Sequence, residues 1–221
     1  MNLNPPVYCV THQNPERRNR MSHRFTELKI PARFVESPGD CMAGHLAALE
    51  QFSNTAEMTA IVMEDDVMLR RDYAKHVGMI TAAFHAASLD VLMLGYLWPF
   101  PARYEIQGSW IPECFPQKIT PFAFFGYPDD IWGAQMYMIS RSHAQHVITG
   151  YGNHTGYEQR SLSDPTMIPW SPDWIITKTG HRALSVPMLG IEEGVPSGGD
   201  EFTHDYRAKT FTSNYDPNIH I

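Results

Sequence analysis

The sequence is poor in cysteine and has no long apolar run. Its three cysteines, Cys9, Cys41 and Cys114, lie far apart, and none belongs to a CxxC pair. A cysteine-based zinc site is therefore not expected, and so few thiols are typical of a reducing, cytosol-like compartment. No apolar stretch approaches the length of a membrane span, and residues 1–6 do not resemble a signal peptide. We therefore expect a cytoplasmic protein without an integral membrane segment.

Basic residues are also scarce. The chain has 17 Lys and Arg residues against 24 Asp and Glu, a formal net charge of −7 and a sequence pI of about 5.8. Its one basic cluster runs only from Arg17 to Arg24. Nucleic acid is therefore excluded as an expected partner, because phosphate neutralisation needs many clustered cations. With 43% hydrophobic residues over 221 positions, the composition predicts one globular domain, 1–221.

Short apolar runs alternate with helical patterns in the first half of the chain. The strands are predicted at Val7–Val10, Arg33–Val35, Ala60–Met63 and Val91–Leu94. Helices are predicted after the capping residues Asn14 and Asp40, and from Lys75 to Ala87. Such alternation is typical of an α/β fold with a mostly parallel, Rossmann-like sheet and helices on both faces.

The second half begins with an aromatic and proline-rich segment, Tyr96 to Trp132, without a clear period. We interpret it as an insertion without regular structure, which either stacks on sugar rings or forms the core of a subdomain. Regular structure is expected to resume with a strand at Ala134–Ile139, a helix capped by Ser140, a short helix at Pro172 and a strand at Arg182–Met188. Residues from Gly194 onward are polar and predicted to be irregular.

Three acids, Glu64-Asp65-Asp66, follow the apolar strand that ends at Met63. Ligands bind at the carboxyl ends of strands in open α/β sheets, and adjacent carboxylates there suit Mg²⁺ or Mn²⁺ bound to a diphosphate. Alternation along an extended chain predicts Glu64 and Asp66 on one side and Asp65 on the other. We therefore expect Asp66 as the metal ligand and Glu64 beside it on metal or ribose. A solvated acidic turn is the alternative.

Five motifs in order resemble glycosyltransferase family 25, the lipopolysaccharide-biosynthesis and collagen-galactosyltransferase type. They are Val10–Arg18 with its Pro-Glu-Arg-Arg, Gly44-His45 where the family usually has Ser-His, Glu64–Val67, Gly133–Arg141, and Pro172-Asp173-Trp174. The resemblance implies a GT-A-like fold, a nucleotide-sugar donor and Mn²⁺ or Mg²⁺. It also implies that residues 1–95 form the nucleotide-sugar-binding half and residues 96–221 the acceptor side.

The predicted donor site gathers around the first strand. Thr11 and His12 follow that strand, where a base would rest, and Arg17 lies on the first turn of the next helix, within reach of a phosphate. Asp65 completes the acidic contribution to this site. His45 is expected to contact donor or metal. The alternatives are a solvated basic face for Arg17 and a packed, hydrogen-bonded core histidine for His45.

The remaining site predictions concern the acceptor side. Asp173 is the candidate general base for an inverting transfer, with a helix cap as its alternative role and Asp129-Asp130 as the rival pair. His204 is predicted to complete the metal shell, and His181 is the second choice.

Together these features predict a metal-dependent, inverting glycosyltransferase that moves a sugar from a nucleoside diphosphate, with UDP as the expected carrier, to a glycan acceptor. One alternative is a metal-dependent phosphohydrolase or nucleotidyltransferase using the same acids. Another is a non-catalytic carbohydrate-binding module.

Overall fold

A computed structural model describes residues 4–100, 114–119, 121–152, 156–194 and 201–221. The strands are β1 Val7–Thr11, β2 Ala32–Glu36, β3 Thr59–Glu64, β4 Val67–Leu69, β5 Val91–Leu97, β6 Cys114–Ile119, β7 Phe122–Phe125, β8 Trp132–Ser140, β9 Arg182–Val186 and β10 Gly190–Glu192. The helices are α1 Pro15–Leu28, α2 Cys41–Ser53, α3 Tyr73–Ala86, α4 Arg141–Tyr151, α5 Tyr157–Ser163, α6 Pro172–Ile175 and α7 Glu201–Asn214.

The main sheet has eight strands in the order β2-β1-β3-β8-β5-β9-β7-β6. Strand β1 pairs in parallel with β2 and β3, and β5 pairs in parallel with β9. Strand β8 lies antiparallel between β3 and β5, and β7 is antiparallel to β9 and β6. Only β7 and β8 therefore run against the rest of this sheet, and the predicted mostly parallel α/β sheet is confirmed.

Helices cover both faces of this sheet, as predicted. Along β1, Val7 and Cys9 pack with α1 and α3, whereas Tyr8 and Val10 pack with α2 and α4. Every side chain of β1 is thus buried, as expected for a strand covered on both faces. A third apolar cluster joins β5, β7 and β9 near α7.

Three predicted helix caps are confirmed and fix where helices leave the sheet. The side chain of Asn14 accepts from the Arg17 amide at 3.1 Å, and that of Asp40 accepts from the Ala43 amide at 2.7 Å. Ser140 caps α4 in the same way. Each bond satisfies an amide that the helix itself leaves unpaired. As a result, α1 and α2 begin just beyond the carboxyl ends of β1 and β2.

The prediction that Tyr96 to Trp132 has no regular structure is wrong where this segment forms strands. Strand β5 continues to Leu97, and β6 and β7 form a hairpin at the sheet edge. Phe122 and Phe124 pack into one core cluster, while Ala123 and Phe125 pack into another. Because both faces of β7 are apolar, its sequence has no alternation to detect. Positions 101–113 lie outside the described residues.

The predicted irregular tail is also wrong, because residues 201–214 form α7. Polar residues dominate this helix and leave no apolar stripe in its sequence. Phe211 packs on the third core cluster, and Thr210 is buried. Farther on, Ile221 exchanges backbone hydrogen bonds with Leu69 in β4, which itself pairs with β10. Within the described ranges, no helix is both long and apolar enough to cross a bilayer.

Candidate functional site

A cavity of about 900 Å³ opens at the carboxyl ends of β1 and β3. Four of the predicted site residues line it: His12, Arg17, Glu64 and Asp173. The other lining residues come mainly from α2, β8 and α7, and are Cys41, Leu97, Asp130, Trp132, Ala134, Gln135, Pro172, Thr203, Tyr206 and Arg207. The cavity thus joins both halves of the chain around the strand ends where the sequence predicted a ligand site.

Glu64 is the last residue of β3, and its Oε1 faces α2. This oxygen lies 3.4 Å from Nε2 of His45 and 3.6 Å from Sγ of Cys41. The other ring nitrogen of His45, Nδ1, lies 3.0 Å from the hydroxyl of Tyr137 in β8. Burial raises the pKa of Glu64, but the hydrogen bond and charge of His45 outweigh it, so the net pKa lies below the usual range. Glu64 is therefore held as a carboxylate.

The next two acids turn away from the strand. The chain makes a turn at Asp65 and Asp66, and both side chains are buried. Nη1 of Arg17 lies 3.0 Å from Oδ2 of Asp66 and 3.6 Å from Oδ1 of Asp65. Extended geometry ends at Glu64, so the strand alternation behind the prediction does not reach Asp65 and Asp66, and the two aspartates share one guanidinium.

Arg17 neutralises the aspartate pair only in part. Burial raises the pKa of Asp66 well above its usual range, and the negative charges of Glu64 and Glu192 add to this effect, against the opposing charge of Arg17. Oδ2 of Asp65 and Oδ1 of Asp66 are buried without a hydrogen-bond partner among the described residues. Unpaired buried carboxylate oxygens are the ligands that hard divalent cations prefer. The residues at this turn therefore fit Mg²⁺ or Mn²⁺.

Strand β10 and helix α7 bring further charge that was not predicted. Oε1 of Glu192 lies 3.3 Å from Nε of Arg207, and Nε2 of Gln135 donates to Oε2 of Glu192 at 3.2 Å. Glu193 is held by Arg20 and Arg24 outside the cavity. Glu192 lies beyond the strand predicted at Arg182–Met188, and Arg207 lies in the predicted irregular tail. No local pattern in the sequence therefore marked them as site residues.

Asp173 lies in the first turn of α6 and lines the cavity. Its Oδ1 accepts a hydrogen bond from the amide of Gly133 at 2.7 Å, so its side chain bonds to β8. The N-cap position of α6 is Ser171, so the alternative capping role of Asp173 is not seen. Burial raises the pKa of Asp173, and the charge of Glu64 adds to this, while the Gly133 amide and Lys178 oppose it.

A pair of tryptophans lies beside Asp173. Trp132 and Trp174 meet edge to face, with ring centroids 6.0 Å apart. Nζ of Lys178 lies 4.2 Å from the Trp132 centroid and 3.9 Å from the Trp174 centroid, in cation–π geometry. Trp132 is 42% exposed and lines the cavity, although most large apolar side chains are buried. This ring is therefore a fixed apolar surface facing the cavity.

Strand β8 supplies partners to three of these side chains. The Gly133 amide bonds to Asp173, Gln135 bonds to Glu192, and the Tyr137 hydroxyl lies beside His45. Gly133 has no room for a side chain, because an added Cβ would lie 2.5 Å from Cα of Tyr96. The antiparallel strand therefore aligns the site.

The remaining predicted residues lie elsewhere. Thr11 is buried at the end of β1. His204 is on α7 but is not among the cavity-lining residues, which on that helix are Thr203, Tyr206 and Arg207. In the described part of the chain, the group of metal-ligating side chains with atoms within 4.8 Å of one another is Cys41, His45 and Glu64. The predicted set of Asp66, Glu64 and His204 is not among the groups this close within the described residues.

The second-choice and rival residues also separate. His181 immediately precedes β9, and its amide donates to Asp90 at 2.9 Å. It therefore lies at the amino end of β9 and is not among the cavity-lining residues. Asp129 is exposed and pairs with Arg182 at 2.6 Å. Asp130 is exposed and lines the cavity, so it is the member of the rival pair that a ligand can reach.

Comparisons with solved structures find loose likenesses. The chain is similar to A197 from STIV at 12% identity and a TM-score of 0.46, over 85% of this chain and 83% of that one. It is similar to mannose-1-phosphate geranyltransferase from Thermus thermophilus at 9% identity and a TM-score of 0.46, over 84% and 75%. It is similar to the inositol-1-phosphate CTP transferase from T. maritima at 10% identity and a TM-score of 0.38, over 95% of this chain and 78% of that one. No protein-family model and no curated protein matches the chain. Function does not follow from likenesses of this kind.

Proposed function

We propose that this protein is a metal-dependent glycosyltransferase, related to family 25, that moves a sugar from a nucleoside diphosphate to a glycan acceptor with inversion. One observation carries the proposal. The lining of a single cavity includes Glu64, Arg17 and Arg207 together with Asp173 and the exposed ring of Trp132. Two arginines in the same cavity as a carboxylate and an apolar ring suit a diphosphate donor and a sugar acceptor.

Arg17 and Arg207 are the proposed ligands for the donor phosphates. Arginine binds phosphate through charge-assisted hydrogen bonds, and Arg17 and Arg207 both line the cavity. His12, exposed at the end of β1, is the proposed contact for the nucleoside, with UDP the expected carrier. Mn²⁺ or Mg²⁺ would be held by Asp66 with Asp65 and Glu64 beside it, and its charge would stabilise the leaving diphosphate. The unpaired buried oxygens of the two aspartates support this part.

Asp173 is the proposed general base. In an inverting transfer the acceptor hydroxyl attacks the anomeric carbon, a new C–O bond forms, and the bond from that carbon to the diphosphate oxygen breaks. The hydroxyl proton passes to the carboxylate of Asp173. A base works best when its pKa lies near the working pH, and burial raises the pKa of Asp173 in that direction. Because the Gly133 amide holds Oδ1, the carboxylate has a fixed orientation.

Trp132 is the proposed stacking surface for the acceptor. A pyranose ring has an apolar face that stacks on aromatic side chains, and Trp132 offers a 42% exposed ring. Lys178 and Trp174 support this ring within the protein. The acceptor proposed here is therefore a sugar rather than a small alcohol or water.

Donor binding is tested first, by thermal unfolding of the full chain with UDP-, GDP- and CDP-sugars, each with Mn²⁺ or with EDTA. A ligand that binds only the native state raises the unfolding temperature. We expect a rise with one nucleotide class that requires metal. A chain that shows no shift with any nucleotide sugar, with or without Mn²⁺, would contradict the proposal.

Turnover is tested next, with the donor that binds and a panel of free glycans. Asp173→Asn should lower kcat by about 10²- to 10⁴-fold with little change in donor affinity. Asp164→Asn is the matched control, because this aspartate is exposed and its side chain accepts hydrogen bonds from the nearby Thr166. If Asp130→Asn abolishes turnover and Asp173→Asn does not, the base is misassigned. Pyrophosphate released from a nucleoside triphosphate would indicate the nucleotidyltransferase alternative. Glycan binding insensitive to EDTA, without turnover, would indicate a binding module.

A further inference from the structure

Helix α2 and strand β3 together present a sulfur, a nitrogen and an oxygen to the cavity. Cys41 is the first residue of α2, and His45 lies one turn later, so both side chains project from the same face. Glu64, the last residue of β3, lies opposite them. One ligand atom from each of the three residues lies within 4.8 Å of the other two. Cys41 and Glu64 also line the cavity, which gives an ion a path to them.

The distances from Glu64 to His45 and to Cys41 match those between ligands of a tetrahedral zinc ion. Bonds of about 2.0–2.3 Å to tetrahedral Zn²⁺ place neighbouring N and O ligands about 3.4 Å apart, and neighbouring S and O ligands about 3.6 Å apart. In this structure, Oε1 of Glu64 lies 3.4 Å from Nε2 of His45 and 3.6 Å from Sγ of Cys41. Both distances to Glu64 therefore suit such an ion, and the ligand atoms of Cys41 and His45 lie within 4.8 Å of each other.

The histidine is already oriented for this role. His45 is fully buried, and its Nδ1 lies 3.0 Å from the hydroxyl of Tyr137 while Nε2 faces Glu64. Metal-binding histidines commonly use their second ring nitrogen in a hydrogen bond that fixes the ring. The two rings also stack, with centroids 5.6 Å apart. Tyr137 is thus a positioning residue for His45.

We infer that Cys41, His45 and Glu64 form a site for a thiophilic divalent cation such as Zn²⁺, with a fourth coordination position open to the cavity. On binding, the thiol of Cys41 gives up its proton to solvent and its sulfur bonds to the metal. The site goes beyond the proposed glycosyl transfer, because a sulfur and an imidazole favour Zn²⁺ over the Mg²⁺ or Mn²⁺ that the aspartates suit. Glu64 is common to both sites, so an ion held by Cys41 and His45 would engage this carboxylate.

The test uses Co²⁺ as a spectroscopic substitute for Zn²⁺, added to the reduced full chain without oxygen. We expect one equivalent to produce a thiolate-to-cobalt charge-transfer band together with the visible bands of four-coordinate cobalt. Cys41→Ser should lose the charge-transfer band while circular dichroism shows an intact fold. Cys9→Ala is the matched control, because it removes a buried thiol on β1 outside the group. Absence of the band in the unmodified chain, or its persistence in Cys41→Ser, would overturn the inference.

A second measurement does not depend on cysteine variants. Tyr137→Phe should keep the charge-transfer band but weaken Zn²⁺ affinity by about 10- to 100-fold, as expected for a hydrogen-bond partner of a ligand. Millimolar Mg²⁺ should not displace Co²⁺. Displacement by Mg²⁺ would show an oxygen-only site and contradict the assignment. Neither outcome depends on sugar transfer, so this inference and the proposed function can fail separately.

Discussion

Nη1 of Arg17 lies 3.0 Å from Oδ2 of Asp66, a carboxylate that is almost fully buried. The same nitrogen lies 3.6 Å from Oδ1 of Asp65, so one guanidinium serves two acids in the turn after β3. Because each aspartate retains a buried oxygen without a partner among the described residues, the arginine only partly neutralises them. The stability of this turn therefore depends on Arg17.

Removing this arginine should destabilise the fold. Arg17→Gln leaves two buried carboxylates without their cation, and breaking a buried ion pair of this kind costs about 3 kcal/mol. The free energy of unfolding from urea titration at neutral pH measures the loss, and Mn²⁺ should reduce it. Arg18→Gln is the control: its pair with Glu36 is exposed, so we expect a change below about 1 kcal/mol. Equal losses in the two variants would show that the Asp65–Asp66 turn does not need Arg17.

Asp66 should make stability depend on pH. Its pKa is raised in the folded chain by burial and by Glu64 and Glu192, above the value of about 3.9 in an unfolded chain. A group of this kind contributes stability that is fully present below the unfolded pKa and is lost as pH rises through the folded pKa. Without metal, Asp66→Asn should therefore be more stable than the unmodified protein at neutral pH, with a difference that shrinks toward pH 4.

The measurement for Asp66 is thermal unfolding across this pH range, with and without Mn²⁺. Mn²⁺ should stabilise the unmodified protein and have little effect on Asp66→Asn. A difference between the two proteins that is independent of pH would contradict the raised pKa, and equal stabilisation of both by Mn²⁺ would place the metal elsewhere.

Under the proposed function, Lys178 should tune the base. Its charge opposes the raised pKa of Asp173, so Lys178→Met should raise that pKa further. Asp173 must be deprotonated to accept the proton, so activity falls as pH drops through its pKa, and the acid limb of the kcat/KM profile should move to higher pH. Lys75→Met, on the exposed side of α3, is the control. An unmoved acid limb in Lys178→Met would separate this limb from Asp173.

Gly44 should not tolerate the serine that is usual in family 25. An added Cβ would lie 2.6 Å from Cγ1 of Val10 and 2.9 Å from Cβ of Ser37, where α2 packs closely against β1. We expect Gly44→Ser to reduce the free energy of unfolding by about 1–3 kcal/mol. Gly150→Ala in α4, where a Cβ would have no neighbour within 4 Å, should leave stability unchanged or slightly increased. A neutral Gly44→Ser would mean that α2 can move away from β1.

The first half of the fold could be predicted because its signals are local. Asn14, Asp40 and Pro15 mark helix starts through bonds and dihedral angles that involve only neighbouring residues. The strand before Glu64 is apolar throughout because helices cover both its faces. The carboxyl ends of such strands meet at one edge, which explains why His12, Arg17 and Glu64 could be grouped in advance around one cavity. Their chemical roles remain predictions.

The rest depends on contacts between distant parts of the chain. Helix α7 has no apolar stripe of its own and forms against the body of the protein, so Arg207 and Tyr206 could not be placed from the sequence. Cys41 and Glu64 meet only when α2 packs beside β3. The sequence has no CxxC pair, but it has a cysteine and a histidine four residues apart on a capped helix. That spacing is the sequence feature from which this group of metal-ligating residues could be predicted.

Strand β8 has a consequence for engineering this protein. Gly133, Gln135 and Tyr137 hold Asp173, Glu192 and His45 from one strand, and a strand that slips by one residue reverses which face each side chain points to. Deleting a single residue from β8 would therefore misalign Asp173, Glu192 and His45 together. Deleting one from α5, whose residues are all at least partly exposed, would leave those three contacts in place. Libraries aimed at altered specificity are best kept out of β8 and directed to the cavity wall formed by α7.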